Sequence, residues 1–257
     1  MTIHPTAVIH QEAEVGKGTR IGPYAVIGNR VRLGEQCEIG SHVVVDGDTR
    51  IGDRCRLFPF VSIGMEPQDL KYRGEPTRIE IGDGNKFREY VTVHLGTAGG
   101  GGITKVGNDN LIMAYSHIAH DCQVGNSTVL ANGATLAGHV QVEDFATVGA
   151  FSGLHQFCRV GRYAYIGGYS VVTKDALPYV LTVGNRARIF GINVIGLRRR
   201  NFSPATVKIL QDSYRTLFQK KIPFRRALET VERKYGREAD VAYLLEFIQT
   251  SSRGIAR

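Results

Sequence analysis

The sequence predicts an all-β solenoid with a small helical tail: a parallel β-helix over residues 1–190 and an α-helical domain over 191–257. Three observations predict it. An aliphatic residue recurs every six positions from Ile3 to Ile63, returns at Ile81 and Val93 with Phe87 in phase between them, and runs again from Val106 to Val172. Four places after it sits a small or β-branched residue, with Asn110 the one exception over the first ten steps of the first run and the twelve of the last. After about residue 190 the spacing turns helical.

Period six is neither 3.6 nor a plain 2. It suits short strands joined by tight turns, three sides to a coil, so one coil takes 18 residues. The aliphatics point inward and stack on those of the next coil, about 4.8 Å away. One coil alone cannot bury its apolar face, so stacking supplies the core. This is the hexapeptide signature of a parallel β-helix. The repeat breaks twice. Residues 64–80 hold Pro67 and Pro76 and no aliphatic in phase, yet Ile63 and Ile81 remain 18 apart, so this segment replaces or loops out from one coil. Residues 94–105 contain four consecutive glycines, Gly99 to Gly102, and the phase beyond them slips by one. Loops that interrupt a regular scaffold often carry function. In the tail, Ser203 and Pro204 fit an N-cap and first helical position. Val207, Leu210, Tyr214 and Leu217 follow at helical spacing. A second helix near 223–235, ended by Gly236, and a third from about Asp240 to Thr250 complete a three-helix appendage.

Composition excludes several classes. At 42% hydrophobic and 22% charged residues the chain is not disordered. No run of eighteen apolar residues exists, so no membrane insertion is expected. The N-terminus lacks a basic region followed by an apolar one, which makes a cytoplasmic address the default. Charge is uneven: residues 1–179 carry 16 Lys+Arg against 18 Asp+Glu, whereas 180–257 carry 16 against 6. Such a basic end suits an acidic partner, or is a solvated helical face. No recognition motif accompanies it, so no nucleic-acid partner is expected. Cys37, Cys55, Cys122 and Cys158 all take the small inward slot and form no CxxC pair, as buried free thiols of a reducing compartment would.

Histidines gather after the second break. Coil arithmetic stacks Ala119-His120-Asp121 over Ala137-Gly138-His139 and His155-Gln156-Phe157. That brings His120, His139 and His155 within two strand spacings, about 10 Å. Two chemistries fit: a general base, His120, oriented by Asp121, or a three-histidine metal site. No metal is expected, because no two histidines stand five apart, the spacing in zinc enzymes built on this repeat.

These residues carry a resemblance. Ser116-His117-Ile118-Ala119-His120-Asp121-Cys122, with Gln68 to Thr77, Gly99 to Gly107, Leu136 to Val140, His155 to Cys158 and Gly196 to Arg200, resembles the UDP-N-acetylglucosamine acyltransferase family over essentially the whole chain. The resemblance implies a left-handed coil and a homotrimer with active sites between neighbouring coils. It implies transfer of a 3-hydroxyacyl chain from acyl carrier protein to the sugar 3-hydroxyl, the first step of lipid A biosynthesis. No cofactor is expected beyond the phosphopantetheine on the carrier. His120 matches the family's base, Asp121 its orienting partner and Gly138 its oxyanion donor. Gln68, Asp69 and Lys71 match residues at the acyl hydroxyl and sugar. His94, His117, His139, His155 and Gln156 match the pocket around sugar and acyl chain. Asn193, Arg199 and Arg200 match the nucleotide end, where guanidinium suits diphosphate. Gly168 matches the position that ends the acyl channel, and glycine there argues for a long chain.

The chain departs from well-known members at Leu95, where a basic residue stands; at Arg186, where a histidine stands; and at Ile195, where an acidic residue stands. These positions bear on sugar-nucleotide recognition. Alternatives are therefore the same transfer onto the 3-amino sugar, as some relatives perform, or a non-catalytic β-helix scaffold.

Overall fold

The computed structural model describes residues 2–257. From Thr2 to Val172 the chain winds as a left-handed parallel β-helix whose three sheets form the sides of a triangular prism. The first sheet begins at Thr2–Ile3, the second at Val8–Ile9 and the third at Glu14–Val15. Most strands are two residues long, because a period of six leaves only that between turns. The second residue of each faces in. Ile39, Leu57, Phe87, Ile112, Leu130, Val148 and Ile166 pair in register down the first sheet and are all buried. Each such burial contributes about 1.5–3 kcal/mol. All four cysteines are buried free thiols in the same interior.

Each corner has its own chemistry. Between the first and second sheets, Tyr24, His42, Phe60, Tyr90 and Tyr115 stack at 4.9–5.0 Å. Between the third and first, a side-chain ladder caps successive turns: Asp83 Oδ1 accepts from Asp53 N–H (2.9 Å), and Asn126 Oδ1 from Asn108 N–H (2.8 Å). The corner between the second and third sheets carries both insertions and, on or beside it, every histidine from His94 onward.

The first insertion replaces no coil. Asp48 pairs with Arg78 and Ile51 with Ile81, so that coil is thirty residues long and the loop is an extra twelve. Arg78 in turn pairs with Ile103. The second loop therefore adds seven, one more than a full side, which explains the slipped phase.

Beyond the coil, Val180–Val183 extends the first sheet in parallel, and Arg188–Ile192 turns back to pair with it antiparallel. Four helices follow: α1 (Val194–Arg199), α2 (Pro204–Phe218), α3 (Phe224–Tyr235) and α4 (Ala239–Gln249). Three match the expected ones. The fourth, α1, is six residues long, too short to print an apolar stripe. Ser203 caps α2 as expected, its hydroxyl accepting from Thr206 N–H at 3.0 Å. Leu177, Leu197, Leu210, Leu217, Val231 and Phe247 form a second core. The C-terminal residues return to close the coil, where Asp175 exchanges backbone hydrogen bonds with Gly254 and Ala256, each 2.9 Å. No helix of the described residues is long and apolar enough to cross a membrane.

Candidate active site

The corner between the second and third sheets turns at Asp121, in the left-handed region at φ 61°. Asparagine and aspartate tolerate that region better than most residues. The turn aims the Asp121 carboxylate back over the preceding loop, where it is 4% exposed. It accepts three hydrogen bonds: from Thr97 N–H (2.9 Å), from Thr97 Oγ1 (2.7 Å) and from His120 Nδ1 (2.8 Å). Its own N–H donates to Thr104 Oγ1 at 2.8 Å. A carboxylate only accepts, so His120 Nδ1 is the donor, and the tautomer of the ring with one proton has its lone pair on Nε2.

That nitrogen lies over Gly138. A Cβ there would stand 2.4 Å from His120 Cε1 and 2.5 Å from Nε2, so only glycine leaves the base uncovered. The Gly138 N–H meets no acceptor among the described residues, although the residue is buried. His139, one place on, lies flat on Phe157 at 4.3 Å and edge-on to His120 at 5.0 Å.

Two more histidines complete the cluster. His94 meets His117 edge-on at 4.8 Å, and His117 Nδ1 pairs with Thr92 Oγ1 at 2.7 Å. His94 is 6% exposed and its Nδ1 has no partner. Burial, then the charges of His94 and His120, pushes His117 down to about 4. Burial also lowers His94 and His139, the latter against an upward pull from Asp121. His120, Asp121 and His139 bring donor atoms within 4.8 Å of one another. The carboxylate among them is already spent on three donors, and His139 Nδ1 stands 3.8 Å from it. The arrangement is a buried imidazole hydrogen-bonded to a well-anchored carboxylate, a pairing chemically able to act as an oriented base.

Residues 175–256 match the family domain described as UDP N-acetylglucosamine O-acyltransferase, domain 2, and residues 12–47 and 103–138 match the bacterial transferase hexapeptide with six repeats. A curated relative from Alkalilimnicola ehrlichii, named acyl-[acyl-carrier-protein]–UDP-N-acetylglucosamine O-acyltransferase, is 55% identical over 256 residues, 99% of this chain and 99% of its own. The chain belongs to the UDP-N-acetylglucosamine O-acyltransferase family. Two solved members agree in fold. That of Moraxella catarrhalis superposes with a TM-score of 0.95 at 41% identity, covering 100% of both chains. That of Francisella novicida gives 0.95 at 39%, covering 100% of this chain and 94% of its own.

The structure brings His94, His117, His120, Asp121, Gly138 and His139 together. Asp69, in the first insertion, acts electrostatically on His139, while Gln68 and Lys71 are exposed beside it. The other expected residues lie apart. His155 and Gln156 are exposed; His155 shares a column with Ala119 and Ala137, one place off His120, and its ring meets Arg253 at 3.2 Å. Asn193, Arg199 and Arg200 line a cavity of about 470 Å³ with Phe145, Tyr163 and Tyr165, against the first sheet. Asn193 also caps α1, its Oδ1 accepting from Gly196 N–H at 3.1 Å. Gly168 sits beside Tyr169 on the aromatic corner, and a Cβ there would meet Ala150 O at 3.3 Å and nothing nearer, so the turn does not demand glycine.

The departures fall in three settings. Leu95 is buried against Gly47. Ile195 is 68% exposed on the rim of the Arg199–Arg200 cavity. Arg186 lines a cavity of about 400 Å³ with Lys174, Arg188 and Arg257. Sequence reasoning missed Thr97 and Thr104, which hold Asp121. The run of glycines beside them was the available signal.

Proposed function

We propose that this chain transfers a 3-hydroxyacyl group from acyl carrier protein to the 3-hydroxyl of UDP-N-acetylglucosamine, the opening step of lipid A biosynthesis. His120 is the general base. Its Nε2 takes the hydroxyl proton as the sugar oxygen attacks the thioester carbonyl. Asp121 holds the ring and balances the imidazolium that forms. The Gly138 N–H donates to the oxyanion of the tetrahedral intermediate. Collapse expels the phosphopantetheine thiolate, which takes the proton back from His120. No metal or other cofactor enters these steps. The observation that carries the reading is the 2.8 Å pair of His120 and Asp121 with Nε2 over a bare glycine.

The remaining assignments follow from position. His120 lies at the corner opposite the first sheet, and the Arg199–Arg200 cavity lies on that sheet. One site using both draws on neighbouring copies, which a homotrimer provides, with Asn193, Arg199 and Arg200 at the diphosphate. Gly168 leaves room for a long acyl chain. The basic residues around Arg186 receive the acidic carrier.

The test is product analysis by mass spectrometry with a mixture of 3-hydroxyacyl carrier proteins. UDP-N-acetylglucosamine goes in one tube and its 3-amino analogue in another. We expect an O-acylated product with a long chain, and a loss of about 10²- to 10⁴-fold in His120→Ala. Product with the amino sugar alone would move the substrate assignment. No product in either tube from folded protein would sink it.

A further inference from the structure

The second insertion wraps the Asp121 carboxylate. Thr97 reaches it twice, through N–H to Oδ1 and through Oγ1 to Oδ2, the same oxygen that meets His120. The loop then turns through a short helical stretch, Ala98–Gly100, pressed against the same group. A Cβ at Gly100 would lie 2.0 Å from Asp121 Cγ, and one at Gly96 2.9 Å from Oδ1. Only glycine permits so close an approach. From behind, Thr104 accepts the Asp121 N–H. Asp121 is thus held by the loop at its carboxylate, through Thr97, and at its backbone N–H, through Thr104.

A second ring competes for it. His139 Nδ1 stands 3.8 Å from Oδ2, against 2.8 Å for His120. His139 is pinned on Phe157, so a carboxylate that rotated could settle between the two rings. The anchor that opposes rotation is the Thr97 hydroxyl.

We propose that Thr97 is a positioning residue for the reaction: its hydroxyl fixes the Asp121 carboxylate on the His120 side, and the glycine-rich loop is shaped to deliver it there. This rests on His120 acting as the base. Thr97 itself touches neither substrate nor reacting atoms. Its effect passes through Asp121 to the tautomer and aim of the His120 ring.

The experiment is a double-mutant cycle in the full-length protein. Thr97→Val keeps the shape and the backbone donor but removes the hydroxyl; Thr97→Ser keeps the hydroxyl. We expect Thr97→Val to lower kcat by about 10- to 100-fold, the usual consequence of a misaimed group, with KM for the sugar nucleotide little changed. Thr97→Ser recovers most of the loss. In an Asp121→Asn background Thr97→Val adds nothing, because the two act in series. Wild-type kcat in Thr97→Val overturns the proposal. So does an effect that multiplies fully with Asp121→Asn, or a loss that Thr97→Ser shares. His120→Ala is measured beside them. If it stays active, the proposed base is wrong and this inference falls with it. If it is inactive while Thr97→Val turns over normally, only the role of Thr97 is lost.

Discussion

His117 and His94 sit beside the proposed base with no carboxylate of their own. Burial and the neighbouring rings hold His117 down to about 4, against 6.5 for an exposed ring. The sign of the consequence follows from proton counting. Between pH 6.5 and about 4 the unfolded chain binds a proton at His117 that the native chain does not. Stability is therefore complete above the upper value and falls as pH drops through that window. At pH 5 the loss from this one group is about 2 kcal/mol relative to pH 7. His117→Gln removes the titrating group while keeping a hydrogen-bonding side chain next to Thr92. Urea denaturation at pH 7 and pH 5 checks it, with the variant expected to lose less stability between the two. Equal pH dependence in both proteins would place the acid sensitivity elsewhere. The same low value keeps His117 neutral during turnover, so it does not add positive charge beside an imidazolium forming on His120.

At the scale of elements, the strands are too short to be stable alone, and the corners decide the fold as much as the core does. A residue at φ near 60° costs about 1–2 kcal/mol unless it is glycine. The aromatic corner offsets that cost by stacking. Phe60, at φ 65°, lies 5.0 Å from both His42 and Tyr90 and within 6° of parallel to each. Phe60→Ala keeps the strained turn and loses both stacks, so it should destabilise by about 1–2 kcal/mol. Calorimetry would show a lower Tm, and an unchanged Tm would mean that the column is a by-product of the turn. The sixfold repeat made the coil, its inward residues and both insertions readable before any coordinates, since periodic burial leaves a periodic trace. The placing of Gly138 over His120 was readable for the same reason, because coil lengths are equal there, whereas their proposed roles came from the family resemblance. What was not readable lay where the period breaks. Thr97 reaches Asp121 across 24 residues through an irregular loop, and α1 is too short to carry a period.

At the scale of the whole molecule, the proposed function needs more than one chain, because the proposed base and the proposed diphosphate arginines lie far apart on this one. His120 stands at the corner between the second and third sheets, while Arg199 and Arg200 face outward beside the first, on the far side of the prism. A coil about one strand spacing per turn is too rigid to fold one side onto another. The two halves meet only if the corner of one copy docks against the first sheet of the next. A cyclic trimer does this three times with a single heterologous contact. This geometry makes a sharp prediction for mixed assemblies. His120→Ala spoils the base in every copy that carries it; Arg199→Ala combined with Arg200→Ala spoils only the diphosphate cradle. Each variant alone should be inactive or nearly so. Co-expressed, they assemble hybrids in which an intact His120 on one copy faces an intact arginine pair on its neighbour. Random assembly puts such a pairing at roughly a quarter of all interfaces, so the mixture should recover that share of wild-type activity. Purified variants mixed without subunit exchange should recover none. If the site lay within one chain, co-expression would restore nothing, since no single copy would hold both halves intact.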